Sequence, residues 1–96
     1  MTEIPYRYFY SEECDTLDLS KYTNIEFIRP RAFDYSKINT LILPSTIKKL
    51  ENCAFTNIFI AKGNLDLPEG IEEIPEECFK YSEILELKIP ESVLVI

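Results

Sequence analysis

Residues 71–90 read IEEIPEECFKYSEILELKIP, and the rest of the chain repeats the pattern of this stretch. Its apolar residues mix steps of two with longer steps, so the stretch is neither one amphipathic helix nor one strand. The same order of residue types recurs 24 residues earlier, from Ile47, and another 22 residues earlier, from Ile25. A period in the twenties is typical of a solenoid, in which each repeat buries its apolar face against its neighbours.

One aliphatic position gives the repeat spacing most clearly. It recurs at steps of 24, 22, 24 and 22 residues, in Ile4, Ile28, Leu50, Ile74 and Ile96. Phenylalanines at matching steps predict an aromatic column inside the coil, made of Phe9, Phe33, Phe55 and Phe79. The spacing therefore predicts a single domain, 1–96, with a half repeat at 1–19, repeats at 25–43, 47–67 and 71–89, and a partial repeat at 93–96.

Each repeat is predicted to contain two short strands, as in 38–43 and 47–50, and a short helical or 3₁₀ turn around an Ala-Phe pair or its equivalent. The third repeat carries two extra residues between Phe55 and Leu65. The spacing places Lys62 at the position where other repeats carry a core isoleucine. This insertion blurs the pattern only locally.

A longer motif joins these pieces in a fixed order. It reads Ile38-x-x-Leu41-x-Leu43-Pro44, then Ile47-x-x-Leu50, then Ala54-Phe55, and its first parts recur as Ile84-x-x-Leu87-x-Ile89-Pro90 and Val93-x-x-Ile96. This order resembles the BspA-like (treponema-type) leucine-rich repeats over nearly the whole chain. The resemblance implies a right-handed solenoid of short parallel strands in two sheets, used for adhesion and protein–protein contact, and it brings no catalytic motif.

Composition argues against several functions. The 96 residues carry a net charge of −7 without a run of basic residues, which disfavours binding nucleic acid through its phosphates. No apolar run approaches the ~20 residues of a membrane span, so membrane insertion is not expected. The chain has no histidine, and Cys14, Cys53 and Cys78 lack paired spacing, so neither a zinc site nor another metal or cofactor site is predicted.

An enzyme is not expected either. Adjacent glutamates are typical of solvated turns and strands, and a thin solenoid offers no closed pocket to raise their pKa. Without histidine, a serine or cysteine nucleophile lacks its usual base. The N-terminal residues show no secretory signal. With the unpaired cysteines, this indicates an intracellular protein, or a cell-surface one in the case of a fragment of an exported protein.

The outward residues of the longer strands are the candidate partner-binding site, because the resemblance places that sheet on the ligand-facing side. They form two predicted ladders, Thr16, Thr40, Asn64 and Glu86, and Asp18, Ile42, Asp66 and Lys88. Ordinary solvated strand positions are an alternative interpretation of the same residues. Ile42 alone among them is apolar, and it is either a contact point or a commonplace exposed residue.

The C-terminal residues Val93, Leu94, Val95 and Ile96 are all apolar, whereas the matching residues 71–74 keep two glutamates between isoleucines. Three interpretations remain open: a longer repeat array, pairing with another copy, or cover by neighbouring side chains. Two function hypotheses follow. The first is a non-enzymatic module that binds a protein partner, and the alternative is a structural or adhesion protein that associates with itself through its C-terminal strand.

Overall fold

Each repeat folds into one coil of a parallel solenoid in the computed structural model, which describes residues 2–94. A coil consists of a short strand, a tight arc of turns and a long strand. The short strands are β1 (Glu3–Ile4), β3 (Phe27–Ile28) and β5 (Lys49–Leu50); the long strands are β2 (Glu13–Asp18), β4 (Lys37–Ile42), β6 (Phe59–Asp66) and β7 (Glu83–Lys88). They form two parallel sheets, in the orders β1-β3-β5 and β2-β4-β6-β7. The predicted two-sheet solenoid is therefore confirmed.

The aromatic column runs along the middle of the solenoid. The ring centroids of successive phenylalanines lie 5.3, 5.6 and 5.3 Å apart, with interplanar angles of 9°, 11° and 5°, from Phe9 through Phe33 and Phe55 to Phe79. The two central rings are fully buried. Equivalent residues reach the same height because the parallel strands pair in register, as Ile28 does with Leu50. The predicted column is confirmed.

The arcs between short and long strands, residues 5–12, 29–36, 51–58 and 75–82, are chains of β-turns rather than the predicted helical or 3₁₀ turn. In the second arc Ala32 N–H donates to Arg29 O, Asp34 N–H to Arg31 O and Ser36 N–H to Phe33 O. Arg31 and Tyr35 have φ values of 56° and 59°. A continuous right-handed helical turn needs negative φ at every residue, so these two positions interrupt it.

The same left-handed positions recur in all four arcs: Arg7, Ser11, Arg31, Tyr35, Cys53, Asn57, Glu77 and Tyr81. None of these residues is glycine, so each conformation is held by its surroundings at a cost. Hydrogen bonds between arcs supply that support, since Arg31 N–H donates to Cys53 O and Asn57 N–H donates to Lys80 O, at 2.9 and 3.0 Å.

The two extra residues of the third coil form a bulge in β6. Ile60 pairs with Ile38 on one side and with Ile84 on the other, and pairing with β7 resumes at Asn64. Ile60 therefore occupies the core position, and the placement of Lys62 there is wrong, because Lys62 lies exposed within the bulge. Gly63 fits this bulge because a Cβ at its position would lie 2.8 Å from Thr40 Oγ1.

β5 is the last strand of the short-strand sheet within residues 2–94; residues 71–74 match the earlier short strands in sequence but form only a single bridge, at Glu73. In the second and third coils Arg29 N–H donates to Ile4 O and Glu51 N–H to Ile28 O, both at 3.0 Å. The equivalent residue in the fourth coil is Pro75, which has no N–H to donate. A surface cleft of about 1010 Å³ is lined by residues of these coils, among them Lys48, Lys49, Glu72 and Glu73.

Candidate functional site

The long-strand sheet brings the eight predicted partner-binding residues into two separate groups. Thr16 pairs with Thr40 and Asp18 with Ile42, across β2 and β4. Asn64 pairs with Glu86 and Asp66 with Lys88, across β6 and β7. The continuous ladders that the spacing predicted are interrupted between β4 and β6, where registered pairing stops after Ile38 and Ile60. The bulge of β6 is the physical reason for the break.

A shallow cleft of about 310 Å³ marks the interruption. Its lining is Thr40, Leu41, Ile42, Leu43, Asn64 and Asp66. Four of the eight predicted residues therefore meet here, at the seam between the two halves of the sheet. Their side chains offer a hydroxyl, an amide, a carboxylate and an exposed aliphatic group, which is a mixed set suited to polypeptide rather than to a single ion.

Negative charge predominates on the outward side of this sheet. The four long strands expose six carboxylates and three ammonium groups: Glu13, Asp15, Asp18, Asp66, Glu83 and Glu86 against Lys37, Lys62 and Lys88. The ion pairs within residues 2–94 lie instead on the arcs and the short-strand side, as between Lys48 and Glu26. Glu13 lies opposite Lys37 and Asp66 opposite Lys88, so the charges are partly balanced. The remaining excess of carboxylates favours positively charged partners.

Asp18 is held in its ionised form by a local turn. The Ser20 hydroxyl and then the Ser20 backbone N–H donate hydrogen bonds to Asp18 Oδ1, at 2.6 and 2.9 Å. These bonds lower the pKa of Asp18 below its ordinary value, because they stabilise the carboxylate. Asp18 therefore contributes a full negative charge beside Ile42 at neutral pH.

Sequence reasoning missed two exposed apolar residues on the same sheet. Phe59 is 38% exposed on β6, and Leu85 is 69% exposed on β7. Phe59 was hidden in the apolar run 58–60, in which the core residue could not be chosen from spacing alone. Leu85 stands at an outward position between core residues Ile84 and Leu87, and that position was the available signal.

The cysteines do not show the features of nucleophiles. Burial raises the pKa of the Cys78 thiol to about 12. Burial, together with the nearby carboxylates of Glu12 and Asp15, also raises the pKa of Cys14. A thiol acts as a nucleophile through its thiolate, so both shifts oppose reactivity. No group of three Cys, Asp or Glu residues suited to a metal ion is found among residues 2–94.

The candidate self-association residues lie at the last coil. Leu94 is 79% exposed, and its N–H donates to Glu72 O at 2.7 Å, while Val93 packs against the core. Val95 and Ile96 lie outside the described residues, so the predicted terminal strand is described only in part. In the stretch from 2 to 94, no helix has the length and apolar character needed to cross a membrane.

The comparison with protein families agrees with the coil geometry. A family model for the BspA type leucine rich repeat region, with six copies, matches residues 2–96. No curated protein and no solved structure matches the chain. The matched range includes all the strands of both sheets and the whole phenylalanine column. The chain therefore belongs to the BspA-type leucine-rich repeat family.

Proposed function

We propose that this chain is a non-enzymatic protein-interaction module that binds a protein partner through its long-strand sheet. The observation that carries the proposal is the sheet's outward surface. It combines an excess of carboxylates over lysines with three exposed apolar side chains, Ile42, Phe59 and Leu85. Leucine-rich repeats commonly mediate protein interactions, and their family is generally a non-enzymatic scaffold. Such a surface, apolar at points and charged around them, has the composition of a protein-binding patch.

The eight outward residues of the two ladders are the proposed contact set, with Phe59 and Leu85 added to them. We also propose that residues 1–96 form one domain, with repeats at 25–43, 47–67 and 71–89.

Two cellular locations are compatible with this function. The unpaired cysteines favour an intracellular protein, whereas BspA-type repeats occur in surface proteins, which favours the cell surface.

The proposal predicts that Thr16→Arg abolishes partner binding. Thr16 is exposed on β2, and an arginine there adds bulk and a positive charge on the β2 side of the contact set. We expect at least a tenfold loss, about 1.4 kcal/mol of binding free energy. The measurement is affinity capture by the purified chain from an extract of its source cells, followed by quantitative mass spectrometry.

Thr23→Arg is the matched control, because Thr23 is equally exposed but lies in the turn between β2 and β3, away from the long-strand sheet. A specific partner is one that the unmodified chain and Thr23→Arg both retain and Thr16→Arg loses. Equal retention by both variants, or equal loss from both, contradicts binding through this sheet.

Self-association is the second candidate function, favoured by the exposed apolar residues of the last coil. Among residues 2–94, β7 is an outermost strand of its sheet, with Leu85 and Ile89 exposed on and beside it. Leu94, also exposed, follows the next turn and lies on the short-strand side, where its N–H donates to Glu72 O. An uncovered strand edge with apolar side chains is a template for pairing with another chain. For this function we expect the mass in solution to fall from a multiple to a single chain on dilution.

Sedimentation equilibrium over a dilution series measures this directly. Leu94→Glu is expected to remain a single chain at every concentration, because association would bury the new carboxylate without a partner. Glu91→Gln, at an exposed turn residue nearby, serves as the control and should associate like the unmodified chain. A single-chain mass for the unmodified protein at all concentrations removes this candidate.

A further inference from the structure

We propose that the cleft between β4 and β6 binds an extended, arginine- or lysine-containing segment of a protein partner. The inference rests on the proposed function and assigns a chemical class to the partner. Its starting point is the bulge at residues 61–63, beyond which β6 resumes registered pairing with β7 but, within residues 2–94, not with β4. Pairing is in register from Glu13 to Asp18 on the β2 side, and it resumes from Asn64 to Asp66 on the β7 side.

The seam leaves a backbone donor without its acceptor. At the equivalent position of the β2–β4 pair, Leu19 N–H donates to Ile42 O at 2.8 Å, and at that of the β6–β7 pair, Leu67 N–H donates to Lys88 O at 3.1 Å. The matching bond from Leu43 to Asp66 is absent, and Leu43 N–H has no protein acceptor among residues 2–94. Leu43 is 8% exposed and lines the cleft. A main-chain N–H that lines a cleft without a protein acceptor can donate to a carbonyl oxygen of a bound extended main chain.

The side chains around this donor favour a basic residue. Asp66 stands on one side of Ile42 and Asp18 on the other, and neither carboxylate forms an ion pair with a described lysine or arginine. Ile42 is 39% exposed between them. Arginine and lysine pack their aliphatic stems on such a surface and keep the charged end beside carboxylates.

Lysines also lie on the strands near the cleft, so the attraction of a basic peptide by charge alone has to be distinguished from binding in the cleft. Lys88 pairs in register with Asp66, and Lys62 lies in the bulge itself. Generic attraction of a basic peptide depends on the summed charge of the whole sheet, whereas binding in the cleft depends on its shape. The two explanations therefore predict opposite results when Lys62 is removed together with the bulge.

The test is an NMR titration of the ¹⁵N-labelled chain with the blocked peptide Arg-Val-Arg-Val-Arg, compared with Glu-Val-Glu-Val-Glu. We expect saturable shifts for the amides of Thr40, Leu43 and Asn64 with the arginine peptide only. Asp66→Asn is expected to weaken binding about tenfold, as for the loss of one charge-assisted hydrogen bond. Glu83→Gln removes the same charge at the far end of the sheet and is expected to change affinity less than about twofold.

Deletion of Lys62 and Gly63 is the decisive variant, because it shortens β6 to the length of β4 and makes the sheet more negative. We expect the deletion to abolish saturable binding, whereas attraction to charge alone would strengthen it. Cooperative thermal unfolding establishes that the deleted chain folds, and Asp66→Asn provides the test should it not fold. Shifts spread evenly over all acidic regions, no shifts, or affinity unchanged in both variants overturn the inference. Those results leave the long-strand sheet as a binding surface untouched, since Thr16→Arg tests that separately.

Discussion

Replacing Phe55 with alanine is expected to lower the free energy of unfolding by roughly 3–5 kcal/mol. Phe55 is fully buried, and its ring stacks on Phe33 and Phe79 with centroid separations of 5.6 and 5.3 Å. Alanine removes both stacking contacts and leaves a cavity in the middle of the column. Because each coil contacts only its neighbours, the cavity weakens the joints on both sides of the third coil.

Chemical denaturation followed by circular dichroism measures this effect. Phe59→Ala is the matched control, because Phe59 belongs to the same coil but is partly exposed on the outside of β6. We expect Phe59→Ala to lower the free energy of unfolding by only about 1 kcal/mol, the range of strand preferences on a solvated face. The total free energy of unfolding of a domain of this size is about 5–15 kcal/mol, so Phe55→Ala is expected to leave the folded state only marginally stable. Equal losses for the two alanine variants contradict the central role of the column.

Repetition made the column predictable from sequence. A single phenylalanine carries no information about its neighbours in space, but four at matching steps in fixed order do. Stacking in register then follows, because parallel strands of equal length place equivalent residues at equal height. The same reasoning located the outward residues of the long strands, such as Thr16 and Thr40, although their role in binding stays a prediction.

The bulge could not be placed by spacing. The run from Ile58 to Ile60 offers more than one alignment of the third coil, and a choice that keeps Leu65 fixed puts Lys62 in the core. The structure resolves the choice through pairing of Ile60 with Ile38 and Ile84, which are distant in sequence. The cleft escaped prediction for the same reason, since it follows from the bulge in β6, which no motif marks.

The positive φ values in the arcs could not be predicted from the sequence either. Left-handed turns are usually marked by glycine, yet these positions hold residues such as Arg31, Tyr35 and Glu77. Hydrogen bonds between neighbouring coils hold these conformations, and such bonds exist only once the coils have stacked. Local sequence preference therefore favoured a helical turn that the tertiary structure replaces.

A second large effect is expected at Asp34, in the second arc. The structure buries its side chain completely. Arg7 Nε donates to Oδ2 at 3.1 Å, Asn57 Nδ2 donates to Oδ1 at 2.8 Å, and Arg31 Nη1 lies 3.5 Å from Oδ1. These partners come from three successive arcs, so one carboxylate connects three coils. Asp34→Ala removes their common acceptor.

We expect Asp34→Ala to lower the free energy of unfolding by about 2–4 kcal/mol. The value stays below that for a fully buried ion pair, because the side chains of Arg7 and Arg31 are 42% and 39% exposed and regain water. Denaturant unfolding of the variant gives the loss. Asp34→Asn is expected to fall between the alanine variant and the unmodified chain, since it keeps one acceptor oxygen but loses the charge.

Asp15→Ala is the control that distinguishes loss of the Asp34 hydrogen-bond network from loss of any one carboxylate. Asp15 is exposed on β2 and accepts one hydrogen bond, from Asn39 Nδ2 at 2.8 Å, so its removal is expected to cost at most about 0.5 kcal/mol. Asp34→Ala should also unfold with reduced cooperativity, since weaker coupling between coils lets the first coil open alone. Losses of similar size for Asp15→Ala and Asp34→Ala would mean that the stacked rings hold the coils together without help from this carboxylate.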